Sequence, residues 1–385
     1  MVKQITDRNT LLIFPKTGID LSQVNIQMPM GLMSVAAPLV NNGYDVVILD
    51  QRVEKDFFHK CKHFLDRNPV CVGISVMTGL QIKYALKIAQ FIRDNSRVPI
   101  VFGGIHPSLM PDQTIRNRNV DIIVRGEGER SFSKLVDALY AGRSFREING
   151  ISWREGGVIY HNPEEEFCDL DKLPPVPYSL VDIEKYIMPQ VPGRKRSLDI
   201  YTSRGCPYSC IFCYNRSFNK SVYRTKDIDR VIQEVEELVR SYNLDSFYIN
   251  DDNFFVDIER THYFCRTLIN KKIIPEWGCQ GVRIDSLEKI DFALLEDSGC
   301  RNIFTGIESG SDKILKFIRK GINLERVKGI INKFANSRII PHYNFMVGYP
   351  IEEKEDLFDT IELVNYIFRV DPKAQVSSFH MITPY

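Results

Sequence analysis

The sequence predicts two consecutive α/β domains, an N-terminal doubly wound parallel sheet followed by a partial (β/α)6 TIM-like barrel. Three observations carry this reading. At 385 residues the chain is longer than one hydrophobic core usually organises. Short apolar runs alternate with amphipathic stretches over residues 1–148 and again over 197–385. Between those halves, residues 149–196 lose the alternation and fill with turn residues.

In the first half, Thr10–Phe14, Asp45–Asp50, Pro69–Val76, Val98–Phe102 and Val120–Val124 read as strands, being short, apolar runs with helix-like segments between them. Five such units predict a parallel sheet whose ligands lie beyond the carboxyl ends of the strands. Those ends read Phe14-Pro15-Lys16-Thr17-Gly18, Ser75-Val76-Met77-Thr78-Gly79, Gly103-Gly104-Ile105-His106-Pro107 and Arg125-Gly126-Glu127-Gly128-Glu129. Glycine and proline make turns anywhere. Four small-residue loops at successive strand ends also let a large flat ligand approach the backbone. Residues 149–196 then read as a hairpin, Ile151–Arg154 and Val158–His161 around Gly156-Gly157, and a proline-rich connector, Leu173-Pro174-Pro175-Val176-Pro177-Tyr178.

In the second half, strands are expected at Leu198–Ser203, Ser246–Asn250, Glu276–Gly281, Asn302–Gly306, Pro341–Val347 and Gln375–Met381. Amphipathic helices such as Asp227–Ser241 and Leu324–Asn336 separate them. Six parallel units curl toward a barrel, which places chemistry at its carboxyl-terminal mouth.

Composition narrows the function classes. A net charge of +1 argues against a broad nucleic-acid surface, and Arg194-Lys195-Arg196 reads as a solvated linker. No stretch approaches the roughly 18 to 20 apolar residues of a membrane span. The start, Met1-Val2-Lys3-Gln4, has neither a secretory nor a transit pattern, so a cytoplasmic protein is expected. Of nine cysteines, Cys61, Cys71, Cys168, Cys265, Cys279 and Cys300 are scattered and read as packing residues. The other three crowd together, which in a reducing compartment points to metal or redox chemistry.

That cluster is Thr202-Ser203-Arg204-Gly205-Cys206-Pro207-Tyr208-Ser209-Cys210-Ile211-Phe212-Cys213, directly after a predicted strand. A Cys-x3-Cys-x2-Cys loop can wrap three corners of an iron-sulfur cubane, whereas an electron-transfer cluster normally takes four thiolates. A structural zinc site would need a fourth ligand. None stands nearby, and His262 and Cys265 are spaced as one face of a helix.

This loop closely resembles the radical S-adenosylmethionine (SAM) superfamily. The resemblance implies that Cys206, Cys210 and Cys213 hold a 4Fe-4S cluster whose open iron is chelated by SAM, which is cleaved to a 5'-deoxyadenosyl radical. It further implies a SAM site formed by Phe212, Asp251 or Asp252, Arg283, Glu308 and Ser309, and Gly348. Phe212 precedes the third cysteine, where the family packs adenine. Asn250-Asp251-Asp252-Asn253-Phe254 resembles the motif one subgroup has in place of Gly-Gly-Glu. Gly306-Ile307-Glu308-Ser309-Gly310-Ser311 resembles the fourth-strand signature, and Gly348-Tyr349-Pro350 the Gly-x-Pro after the fifth strand. Taken singly, these residues read equally well as a core aromatic, turn acids or a surface ion pair.

The first domain resembles the Rossmann-like cobalamin-binding domain of the class that includes carbon and phosphorus methylases. Pro29-Met30-Gly31-Leu32 and the glycine loops carry that match. It implies a cobalamin site from Gly31, Ser75, Met77, Thr78, Gly103, Gly104, His106, Gly126, Glu127 and Gly128. One departure bears on the cofactor's lower face. Cobalamin mutases ligate the metal through His of Asp-x-His-x-x-Gly, but around His106 this chain has Gly104 and Leu109 at the flanking positions, so histidine ligation is not expected. The class implies cobalamin held across the domain interface, methylation of an unactivated carbon or phosphorus centre in a small molecule, and an electron donor such as flavodoxin or ferredoxin. Two alternatives stand beside it: radical oxidation, cyclisation or rearrangement without methyl transfer, and a non-catalytic iron-sulfur or zinc module. The chain stops at Thr383-Pro384-Tyr385 straight after its last predicted strand, where relatives usually continue, so a truncated C-terminus is expected.

Overall fold

The computed structural model describes residues 8–18, 26–272 and 275–382. The predicted readings of Met1-Val2-Lys3-Gln4 and of Thr383-Pro384-Tyr385 lie outside the described residues. The chain forms two compact units, Met1–Tyr186 and Ile187–Tyr385.

The first unit is one seven-stranded sheet. Its strands are β1 (Asn9–Phe14), β2 (Asp45–Asp50), β3 (Val72–Ser75), β4 (Ile100–Gly103), β5 (Ile122–Val124), β6 (Ile151–Glu155) and β7 (Val158–His161), in the order β2-β1-β3-β4-β5-β6-β7. The five predicted strands are parallel, and the chain reverses its winding direction between β1 and β3. Such a reversal opens a crevice at the strand ends. Ile13, Ile74, Ile100, Phe102 and Ile123 pack with Ile88 and Ile92 of the helix Leu80–Asn95 into one apolar core.

The predicted hairpin forms, with Gly156 and Gly157 at φ of +58° and +81°. It is not part of a connector, however. β6 pairs antiparallel with β5 and β7 with β6, so the hairpin closes the edge of the sheet. The physical reason is that Ile151, Ser152 and Trp153 are all buried, so the strand is covered on both faces, and that Trp153 stacks on Tyr160 at 5.1 Å.

The second unit holds β8 (Ser197–Ile200), β9 (Ser203–Arg204), β10 (Arg224–Thr225), β11 (Ser246–Ile249), β12 (Glu276–Arg283), β13 (Cys300–Glu308), β14 (Ile340–Val347) and β15 (Gln375–Met381). Six of them form a parallel sheet, β15-β14-β13-β12-β11-β8, in which every neighbour is also the next long strand in sequence. Among the described residues β8 and β15 do not pair, so the barrel is partial. β9 and β10 form a separate antiparallel ribbon. On one face of the sheet, Trp277 stacks with Phe247 of the neighbouring strand and meets Phe254 and Phe264 edge-on. Helices start at aspartate caps: Asp227 accepts from the backbone of Asp229 and Arg230, and Asp257 from that of Arg260. Among the described residues no helix is long and apolar enough to cross a membrane.

Candidate functional site

The cysteine loop leaves the β9–β10 ribbon and is tied down at every turn by the residues after β11. Asp251 is buried and spends both oxygens on the strand end, accepting from the Thr202 backbone N–H, the Thr202 hydroxyl and the Ser203 hydroxyl, each at 2.6 Å. Burial raises the Asp251 carboxyl above its ordinary value, against the pull of those bonds. Asp252 accepts from the Gly205 N–H at 2.7 Å, the Tyr214 hydroxyl at 2.5 Å and the Asn219 amide at 3.3 Å. Asn215 pairs reciprocally with the backbone of Cys206, at 3.0 and 2.5 Å. The family resemblance implies that Asp251 or Asp252 accepts from the SAM amino group; in the structure both acids also hydrogen-bond the cysteine loop.

Cys206 and Cys210 are buried and Cys213 is half-buried. Burial pushes the Cys206 thiol up, although Arg283 and backbone N–H donors pull it back, and pushes Cys213 up to about 11. Ligation therefore releases protons. Among the described residues, three ligand atoms of His, Cys, Asp or Glu come within 4.8 Å of one another only at Glu127, Glu129 and Cys168. The three loop sulfurs are thus more widely spread than the ligands of a single zinc with bonds of about 2.3 Å. They suit separate corners of a cluster.

Arg283, at the end of β12, lies over this loop. Its Nη1 donates to Cys210 Sγ at 2.7 Å, its guanidinium sits 3.8 Å from the centre of the Tyr208 ring, and it pairs with Asp285 at 2.9 Å. Burial opposes its charge, but Asp285 raises its pKa overall. Glu308, ending β13, pairs with Lys320 at 2.8 Å. Phe212 packs with Ile314, Leu315, Ile318 and Tyr349. Gly348 has φ +86° and donates its N–H to Glu352 at 2.5 Å. Ser309 is fully buried, 3.4 Å from the Thr360 hydroxyl, and its own hydroxyl accepts from the Ser311 N–H. Residues that sequence reasoning missed are Tyr214, Asn215 and Lys320. The first two stand just past the third cysteine, which is the one signal that could have found them.

In the first unit the ends of β3, β4 and β5 are stitched side by side. Val76 N–H donates to Gly103 at 2.8 Å and His106 N–H to Val76 at 3.0 Å, while Gly126 N–H donates to the Ser108 hydroxyl at 2.8 Å. Gly104 has φ +97°, and a Cβ there would lie 3.0 Å from the Val76 oxygen and 3.3 Å from Ser75 Oγ. Burial lowers the pKa of His106, whose Nδ1 is 3.3 Å from the Thr78 hydroxyl. Met77, Thr78 and Gly79 are exposed. Gly128 presses on Val35 of the helix Met30–Asn41, and a Cβ at Gly31 of that helix would touch nothing within 4 Å. Among the described residues nothing packs against Gly31 closely enough to require a glycine. Glu127 accepts from the Cys168 backbone N–H at 2.9 Å.

Two family models match: the Radical SAM superfamily over residues 200–364 and the B12 binding domain over residues 20–136. The chain is 29% identical to an uncharacterised methyltransferase of Pyrococcus horikoshii, over 97% of this chain and 80% of the relative. It is also 29% identical to the anaerobic magnesium-protoporphyrin IX monomethyl ester cyclase of Rubrivivax gelatinosus, over 82% of this chain and 57% of the relative. Among solved structures, the radical S-adenosylmethionine methyltransferase TsrM from Kitasatospora setae, with cobalamin and a 4Fe-4S cluster bound, shares the fold at a TM-score of 0.79 and 19% identity, covering 97% of this chain and 75% of that one. The chain therefore carries a radical SAM superfamily domain joined to a B12 binding domain.

Proposed function

We propose that this chain is a cobalamin-dependent radical SAM methyltransferase acting on an unactivated carbon or phosphorus centre of a small molecule. The observation that carries the radical half is the braced loop of Cys206, Cys210 and Cys213, three thiols with Arg283 at 2.7 Å from one sulfur. The methyl-transfer half rests on the B12 binding domain match and on the loops of Gly31, Ser75, Met77, Thr78, Gly103, Gly104, His106, Gly126, Glu127 and Gly128. When bound, the cluster with SAM supplies a 5'-deoxyadenosyl radical and cobalamin supplies a methyl group. The protein's own part is positional. The three cysteines, once deprotonated, ligate the cluster and leave one corner to SAM. Arg283 offsets thiolate charge and faces a carboxylate, Glu308 accepts from a SAM donor, and Phe212 with the Gly348 turn flanks the adenine. Neutral His106 braces the β3 and β4 ends through Thr78 and Val76. A one-electron donor such as flavodoxin or ferredoxin completes the system.

The test is anaerobic reconstitution with SAM, reductant and cobalamin. About four irons per chain, 5'-deoxyadenosine release and corrinoid bands are expected, and Cys206→Ala, Cys210→Ala or Cys213→Ala abolishes iron and cleavage together. Iron binding and cleavage that survive those changes overturn the reading. The similarity to the Rubrivivax cyclase favours one second reading, radical oxidation or cyclisation without methyl transfer. Methyl-labelled SAM separates the two, because only a methyltransferase passes its label to product.

A further inference from the structure

The helix Asp312–Phe317 ends in a left-handed turn. Arg319 has φ +56°, its N–H donates to Lys316 at 3.1 Å, and the Lys320 N–H reaches back to Leu315 at 3.0 Å. At the position Lys320 occupies, this cap ordinarily packs an apolar side chain on the last helical turn. Here the side chain is a lysine, and it is 2% exposed. A buried ammonium persists only when paired. One of its three N–H donors goes to Glu308 Oε1 at 2.8 Å, and among the described residues the other two have no acceptor.

The neighbourhood is built around that pair. Glu308 is held at φ +75°, next to a register shift between Gly306 and Glu308 that turns its side chain out of the β13–β14 ladder. A Cβ at Gly306 would overlap Glu308 Oε1 and lie 3.4 Å from Lys320 Nζ, so a larger residue there would push the Glu308 carboxylate out of this orientation. The Lys320 backbone is tied to the cysteine loop twice: its carbonyl accepts from Arg283, which touches Cys210, and two residues earlier Ile318 accepts from the Ile211 N–H at 3.2 Å. Glu308 Oε2 takes no donor from the described residues.

We propose that Lys320 is a positioning residue of the SAM site, whose ammonium locks Glu308 in the one orientation that leaves its second oxygen for a hydrogen-bond donor of SAM. This rests on the radical SAM reading above. Its strain, its glycine clearance and its double tether to the cluster loop have no use in a merely structural ion pair, which would sit as well on a relaxed backbone.

The test reads the electron paramagnetic resonance of the reduced cluster as SAM is added to reconstituted protein. Lys320→Met should keep about four irons per chain and need about tenfold more SAM for the spectral change, the worth of one charged hydrogen bond. Lys320→Arg should recover most of the affinity. Adding Glu308→Gln to Lys320→Met should weaken binding by no more than about twofold further, since both changes remove one device. Should Lys320→Met alone fail to fold, the neutral double variant decides. A SAM response within twofold of wild type in either, additive losses, or loss of iron with Lys320→Met overturns the proposal. A wild type with a cluster and no SAM response fails the underlying reading, and this one with it.

Discussion

Replacing Gly205 by alanine should empty the cluster site while leaving the fold standing. Gly205 sits between β9 and Cys206 at φ +81°, where an L-residue costs about 1–2 kcal/mol. Its new Cβ would also fall inside the van der Waals radius of the Val222 carbonyl oxygen, with the carbonyl carbon at 3.1 Å. That neighbour is backbone and cannot rotate aside, so an overpacking cost of about 1–3 kcal/mol is added. The sum, about 2–5 kcal/mol, is concentrated on one loop. The loop can escape it only by moving, which breaks the 2.7 Å bond from Gly205 N–H to Asp252 and displaces Cys206. The assay is iron and sulfide per chain after anaerobic reconstitution, with thermal unfolding beside it. Gly156→Ala is the matched control, because Gly156 also has positive φ, at +58°, but no atom within 4 Å of its Cβ position. It should lose only the backbone strain and keep its iron. If Gly205→Ala binds as much iron as Gly156→Ala, the loop is not braced as described.

Three further outcomes are expected. Asp252→Ala removes the acceptor of three hydrogen bonds and should lower stability by about 2–4 kcal/mol and deplete iron, while Tyr214→Phe removes one of them and should cost about 1–2 kcal/mol; chemical denaturation of both variants checks the ratio. Burial lowers His342 to about 4 from its usual 6.5, so the unfolded chain binds its proton first as pH falls: stability is complete above about pH 6.5 and is lost toward pH 4, by about 2 kcal/mol between pH 7 and 5. Against His342→Gln, which should lack that increment, equal pH slopes would disprove it. Gly31→Gln should leave unfolding unchanged or slightly stabilised, because the position is open and helical, yet abolish corrinoid bands; undiminished bands would remove Gly31 from the cobalamin site.

Much of the fold was legible because apolar periodicity is a local property. Asp45–Asp50, Val158–His161 and Gln375–Met381 are legible to the residue and the other predicted strands to within a few positions, whereas the two-residue β9 and β10 are too short to leave a pattern. The hairpin at Gly156-Gly157 was equally plain, but its membership of the first sheet was not, since pairing β6 with β5 depends on an edge that no local pattern announces. Within the site, the cysteine spacing stood out because one short loop carries all three ligands. The use made of Asp251, Asp252 and Ser309 did not, because an acid or a hydroxyl at a strand end looks the same whether it faces a ligand or its own backbone.

What the sequence by itself determined is therefore the order of the two α/β halves, the three thiols and the glycine loops, all written in contiguous residues whose chemistry follows from type and spacing. Only the tertiary structure decided which groups surround those thiols. Arg283 meets Cys210 from 73 positions away, Asp252 holds Gly205 across 47, and Lys320 reaches Glu308 out of a helix cap. Each of these depends on parallel strands bringing their carboxyl ends to one rim, where residues distant in sequence come within the few ångströms over which hydrogen bonds and charges act.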